Sequence, residues 1–120
     1  MTEGDKQFLE LDIVKNDKEK EKIVRQRIWG TFNDRIREGK EIFVQEMDEV
    51  LWKQNCQRLI ELFDITDINQ KIMKAELHRN LEDFDNCMEL INSLDKNFDW
   101  IVEKFKTECE NRNKLLIKLR

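Results

Sequence analysis

Residues 81–105, LEDFDNCMELINSLDKNFDWIVEKF, carry apolar side chains at gaps of three and four along their whole length. That is the period of one helix face, so the stretch reads as amphipathic helix. With Leu81 at heptad position a, the a positions hold Leu81, Met88, Asp95, Val102, Cys109 and Leu116. The d positions hold Leu77, Phe84, Ile91, Phe98, Phe105, Arg112 and Leu119. Only Asp95 and Arg112 interrupt this apolar seam, and it contains no Gly or Pro. The spacing predicts one long heptad-patterned helix over 64–120, built for a coiled coil or a helical bundle. At 1.5 Å per residue, the part from 67 to 119 would run roughly 80 Å. The g positions add Cys87, Leu94, Ile101 and Leu115, while His78, Asp85, Asn92, Asp99, Lys106 and Asn113 at e are polar. A stripe widened on one side, without alternating e and g charges, suits a helix that touches two or more others. A carboxylate at Asp95 is costly in such a seam unless paired. It either fixes register or marks a local slip that puts Leu94 in the core and Asp95 in water.

Upstream, FDITDINQK (63–71) interrupts the helical pattern. Asp64, Thr66, Asp67 and Asn69 compete for backbone hydrogen bonds, and Asp67 with Gln70 has capping-box spacing. A helix start is expected here, with one uninterrupted helix from about residue 40 as the alternative. Before it, Phe43, Met47, Val50, Leu51, Cys56, Leu59 and Phe63 form an apolar face that Trp52 and Leu62 widen. Earlier still, NDKEKEKIVRQRI (16–28) offers Asn16 or Asp17 as a cap, and Val24, Ile28, Phe32 and Ile36 follow at four-residue steps. Gly30 weakens that run, and Gly39 is a stop or a kink. The expected organisation is therefore all-α: a flexible arm over 1–15, two shorter amphipathic helices over 16–63, and the long helix. FLELDIV (8–14) is the arm's one apolar cluster, either a docking segment or the frayed start of the first helix.

Composition agrees. Charged residues make up 40% of the 120, Pro is absent and Gly occurs three times, so few residues are present that end helices. The net charge of −4 comes from intermixed acids and bases, which is neither the clustered basic face of a nucleic-acid binder nor that of a membrane-surface helix. The N-terminus does not read as a signal peptide and no run reaches the length of a membrane span. A cytoplasmic place is expected, or docking on a membrane from the cytosol through partners.

Catalytic, cofactor and metal residues are not expected. Cys56, Cys87 and Cys109 have no metal-ligand spacing and read as small buried hydrophobes. His78, the single histidine, has no nucleophile or ligand at helical spacing. The acid clusters Glu46, Asp48, Glu49 and Glu82, Asp83, Asp85 read as solvated helix faces rather than acid–base pairs. Among Trp29, Trp52 and Trp100, Trp100 falls at f, away from the seam, where a tryptophan suits a second contact surface. Helices over 16–63 would cover only part of a helix as long as 64–120, so the stripe predicts partner helices. The expected partner interface is Phe43, Met47, Leu77, Leu81, Phe84, Met88, Ile91, Phe98, Trp100, Val102, Phe105, Leu116 and Leu119.

The stretch DRIREGKEIFVQEMDEVLWKQNCQRLIEL (34–62) resembles one family, the muted subunit (subunit five) of the biogenesis of lysosome-related organelles complex. Arg35, Phe43, Val44, Glu46, Glu49, Leu59 and Leu62 match its pattern. Met47 replaces a second aromatic, Glu38 and Gly39 stand in reversed order, Val50 and Leu51 replace a basic pair, and a Pro beside the early Arg is missing. The resemblance implies a non-catalytic scaffold subunit of an elongated hetero-oligomer of small coiled-coil proteins, acting in endosome-to-lysosome trafficking. Its rivals are a subunit of another rod-like assembly, of kinetochore or tethering type, and a self-contained helical bundle that binds a short peptide.

Overall fold

Asp17 opens the first helix. Its side chain accepts hydrogen bonds from the N–H groups of Glu19 (3.1 Å) and Lys20 (3.2 Å), which caps α1, Lys18–Arg37. The coordinates are a computed structural model that describes residues 17–114. The arm over 1–15 and the seam residues Leu116 and Leu119 lie outside the described residues. The chain divides into two units, Met1–Leu62 and Phe63–Arg120. Among the described residues all regular structure is helical: α1, then α2 (Asp48–Leu62), α3 (Ile68–Asn80), α4 (Phe84–Asn92), a 3₁₀ turn (Lys96–Phe98) and α5 (Asp99–Glu110). None of these helices is long and apolar enough to cross a membrane.

In the first unit α1 stops at Gly39, which takes φ 73°, the left-handed conformation that costs a side chain free energy and glycine little. The Gly39 N–H reaches Ile36 O (3.0 Å) and the Lys40 N–H reaches Arg35 O (2.7 Å), closing a Schellman motif. The chain then returns along α1. Arg58 pairs with Glu21, Arg25 with Asn55 and Arg35 with Asp48. Partner numbers fall as α1 numbers rise, so α1 and α2 form an antiparallel hairpin. Val24, Ile28, Trp29 and Phe32 from α1 and Trp52, Cys56 and Leu59 from α2 are buried.

The second unit departs from the expected single helix. Asp67 caps α3 through Gln70 N–H (3.1 Å), as its position suggested. The Gln70 side chain, however, accepts from Asp64 N–H (2.9 Å) instead of closing a reciprocal box on Asp67. The long helix over 64–120 is then broken twice. At the first break Glu82 adopts φ 63°, and the Asp83 N–H bonds to His78 O (2.8 Å), which is a second Schellman motif without a glycine. Asp83 caps α4 by accepting from the Asn86 N–H (3.3 Å). The second break follows Ser93, where the Asp95 side chain accepts from Asn97 N–H (2.9 Å) and starts the 3₁₀ turn. α5 ends with Arg112 at φ 53° and the Asn113 N–H on Glu108 O (2.8 Å), a third such motif.

The breaks fold the seam onto itself. Ala75 of α3, Cys87 and Ile91 of α4, and Ile101, Phe105 and Cys109 of α5 form one buried cluster. Ile72, Phe84, Met88, Leu90, Leu94, Phe98 and Val102 pack against it. Leu94 thus joins the core and Asp95 is exposed, through a reversal of the chain rather than a slip of register.

Candidate functional site

The segment between α1 and α2 is short, irregular and tightly held. Arg35 Nη1 donates to Ile42 O (2.7 Å) and to Asp48 Oδ2 (3.0 Å). The same carboxylate oxygen accepts from the N–H groups of Val44 (2.9 Å) and Gln45 (3.0 Å). Asp48 is buried, and burial alone would disfavour its charge. The hydrogen bonds from Gln45, Val44 and Arg35 outweigh that and hold its carboxyl below the usual carboxylate range. Phe43 turns inward, with its ring edge-on to Trp52 (5.3 Å between centroids) and to Phe32 (6.3 Å), and the Arg35 guanidinium lies 4.9 Å from the Phe32 centroid.

With Phe43 committed inward, its neighbours face out. Val44 is 69% exposed, Met47 54% and Val50 43%. Glu41, Glu46 and Glu49 are exposed around them, and Lys53 pairs with Glu49 at 3.4 Å. The result is an apolar patch framed by carboxylates on a segment that its own hydrogen bonds fix in place. Three large apolar side chains exposed within seven positions can contribute free energy only by meeting another apolar surface.

The expected interface residues divide differently from the sequence reading. Met47 is exposed in this patch, and Phe43 is half-buried beneath it. Leu77, Ile91 and Phe105 are buried within the fold and offer no partner surface, because the turns at 81–83 and 93–95 fold the helices together. Phe84, Met88, Phe98 and Val102 are half-buried against the same core, and Leu81 is half-buried at the α3 C-cap. Trp100 lies on the outer side of α5, 59% exposed. Val44 and Val50 were not among the expected interface residues. The signal that could have found them was Arg35 and Asp48 flanking an aromatic, since a clasp that buries Phe43 leaves the alternate residue outside.

A second polar centre lies on the first hairpin. Glu21 is 4% exposed and accepts from Arg25 Nε (2.7 Å), Arg58 Nε (2.9 Å) and Arg58 Nη2 (3.0 Å). The Arg58 side chain foremost, with Arg25, draws its carboxyl down to about 2 against the opposing effect of burial. This cluster joins α1 to α2. His78 Nδ1 sits 3.4 Å from Asp83 Oδ2 across the turn after α3, and burial lowers its pKa while Asp83 opposes that. In the downstream acid cluster Asp83 is a helix cap, Glu82 meets Lys114 (3.6 Å) and Asp85 is exposed.

Comparison with protein-family models, with curated proteins and with solved structures finds no match to this chain.

Proposed function

We propose that the chain is a non-catalytic interaction subunit that binds a partner protein through Val44, Met47 and Val50. One observation carries this reading: the Arg35–Asp48 clasp holds three large apolar side chains in water on a fixed segment. A preformed surface loses little conformational freedom on binding, so its apolar area converts more fully into affinity. The patch lies inside 34–62, the stretch that resembles the muted subunit. The narrower form of the proposal is therefore a scaffold subunit in endosome-to-lysosome trafficking, with other small helical proteins as partners.

The burial of Ile91, Phe105 and Cys109 within 63–114 favours a second form, a self-contained helical module that uses the same patch to bind a short apolar peptide. Light scattering on the chain alone separates the two forms. A monomer at all concentrations fits the module, and self-association or insolubility fits the assembly subunit. The common claim is tested by affinity purification of the full chain beside its Val44→Asp, Met47→Asp double variant. The wild type should bring down a stoichiometric helical partner, and the variant should lose it while its circular dichroism and melting stay unchanged. Retention of the same partner by the variant would sink the proposal.

A further inference from the structure

Cys87 on α4 and Cys109 on α5 lie with their sulfurs 3.7 Å apart, the Cys109 S–H directed at Cys87. Both are free thiols. Their residues are 22 apart in sequence and meet only because the chain reverses between α4 and α5. A disulfide needs sulfurs at about 2.0 Å, so forming one here closes a contact that already exists. The two thiols differ in access. Cys87 is fully buried, whereas Cys109 lines the wall of an open groove of about 640 Å³ together with Phe84, Met88 and Arg112. Arg79 of α3, also buried, favours the thiolate at both sulfurs, although burial as the larger effect raises both pKa values.

We propose that Cys87 and Cys109 are a reversible oxidation site, in which a peroxide entering the groove converts the thiol pair to a disulfide that staples α4 to α5. The Cys109 thiolate attacks one peroxide oxygen. An S–O bond forms, the O–O bond breaks, and protonation of the departing oxygen gives water. The Cys87 sulfur then attacks the sulfenic sulfur of Cys109. The S–S bond forms, the S–O bond breaks, and the leaving hydroxide takes up the Cys87 proton as a second water. The two thiols are oxidised by two electrons and the peroxide is reduced by two. Burial makes the first step slower than at an exposed thiol. The second is fast, since the resolving sulfur is already in contact.

The test treats the full chain with hydrogen peroxide, quenches it, and alkylates it in denaturant. Reduced protein takes up three alkyl groups. The oxidised protein should take up one, on Cys56, with peptide mapping showing 87 joined to 109 and dithiothreitol restoring the full count. In Cys87→Ser a dimedone-type trap should label Cys109, and in Cys109→Ser it should leave Cys87 unlabelled, which together establish the order of attack independently of the crosslink. Full alkylation after oxidation would overturn the proposal, as would Cys109 driven to sulfinic acid with Cys87 still free, or crosslinks only between chains.

Discussion

The turn at Glu82 is where the long helix fails, and two substitutions at that one residue test it. Glu82 sits at φ 63°, and its side chain is 62% exposed, meeting Lys114 Nζ at 3.6 Å. Glu82→Gly and Glu82→Ala both delete that contact, whose contribution is small at such exposure. It cancels when the two variants are compared with each other. In the left-handed conformation an alanine Cβ costs about 1 kcal/mol that glycine avoids. In the interior of a continuous helix the order reverses, and glycine is worse than alanine by about 1 kcal/mol. The two architectures thus differ by about 2 kcal/mol in the Gly-minus-Ala stability. For a unit of this size, 1 kcal/mol shifts the melting temperature by roughly 4–8 °C. Urea melts followed by far-ultraviolet circular dichroism would measure the difference. Glycine should be the more stable variant by about 1 kcal/mol. If alanine is the more stable, Glu82 lies in a helix, the reversal at 81–83 does not form, and the seam of 77–105 is open to a partner.

Acid should unfold the first hairpin through Glu21. Its folded pKa is depressed to about 2 from 4.5, so its contribution is fully present above pH 4.5 and is lost as pH falls from there toward 2. At full ionisation it amounts to about 3 kcal/mol. Glu21→Gln should therefore be less stable than wild type at pH 7, with the gap closing by pH 2; a gap constant across that range would remove Glu21 from the acid transition. Ile91→Asp should unfold the second unit outright rather than merely block assembly, because it places an unpaired charge at a fully buried site. A variant with native circular dichroism would return Ile91 to the surface. Phe105→Ala should cost about 3–5 kcal/mol and Trp100→Ala under about 0.5, as judged by denaturant midpoints, since one is 1% exposed and the other 59%. Asp48→Ala should raise amide exchange at Val44 and Gln45, whose N–H groups lose their acceptor, and unchanged protection there would show that the segment is held by other contacts.

The helical class was legible because periodicity reports burial directly; the stop at Gly39 was legible because a residue without a Cβ takes the left-handed conformation easily, and the start at Asp67 because its carboxylate caps the helix. The break at 81–83 was not, and the turn at 111–113 showed only as Arg112 interrupting the seam. Each uses a left-handed residue, and glycine is the usual sign of one. Here Glu82 and Arg112 occupy those positions, and both read as ordinary helix formers. The break at 93–95 left a partial mark. Asp95 in the seam was a visible anomaly, and the residue that looked like a buried carboxylate is instead the exposed cap of a new turn. The exposed apolar patch was half visible: Met47 stood on an apolar face, but only the inward turn of Phe43 shows which neighbours remain outside.

The seam itself explains why the pattern misled about its partner. A heptad stripe states that one helix face is apolar and says nothing of which helix covers it. Cut by a left-handed residue and a capped turn, the same stripe supplies three short faces, on α3, α4 and α5, that cover one another. Phe84, Phe98 and Phe105 are large for a two-stranded seam and find room in this folded-back cluster. With those faces used internally, the large apolar side chains that stay exposed lie elsewhere, Trp100 on the outer side of α5 among them. Val44, Met47 and Val50 stand exposed where Phe43 and Asp48 turn inward, and Ile23 on α1 is 48% exposed as well.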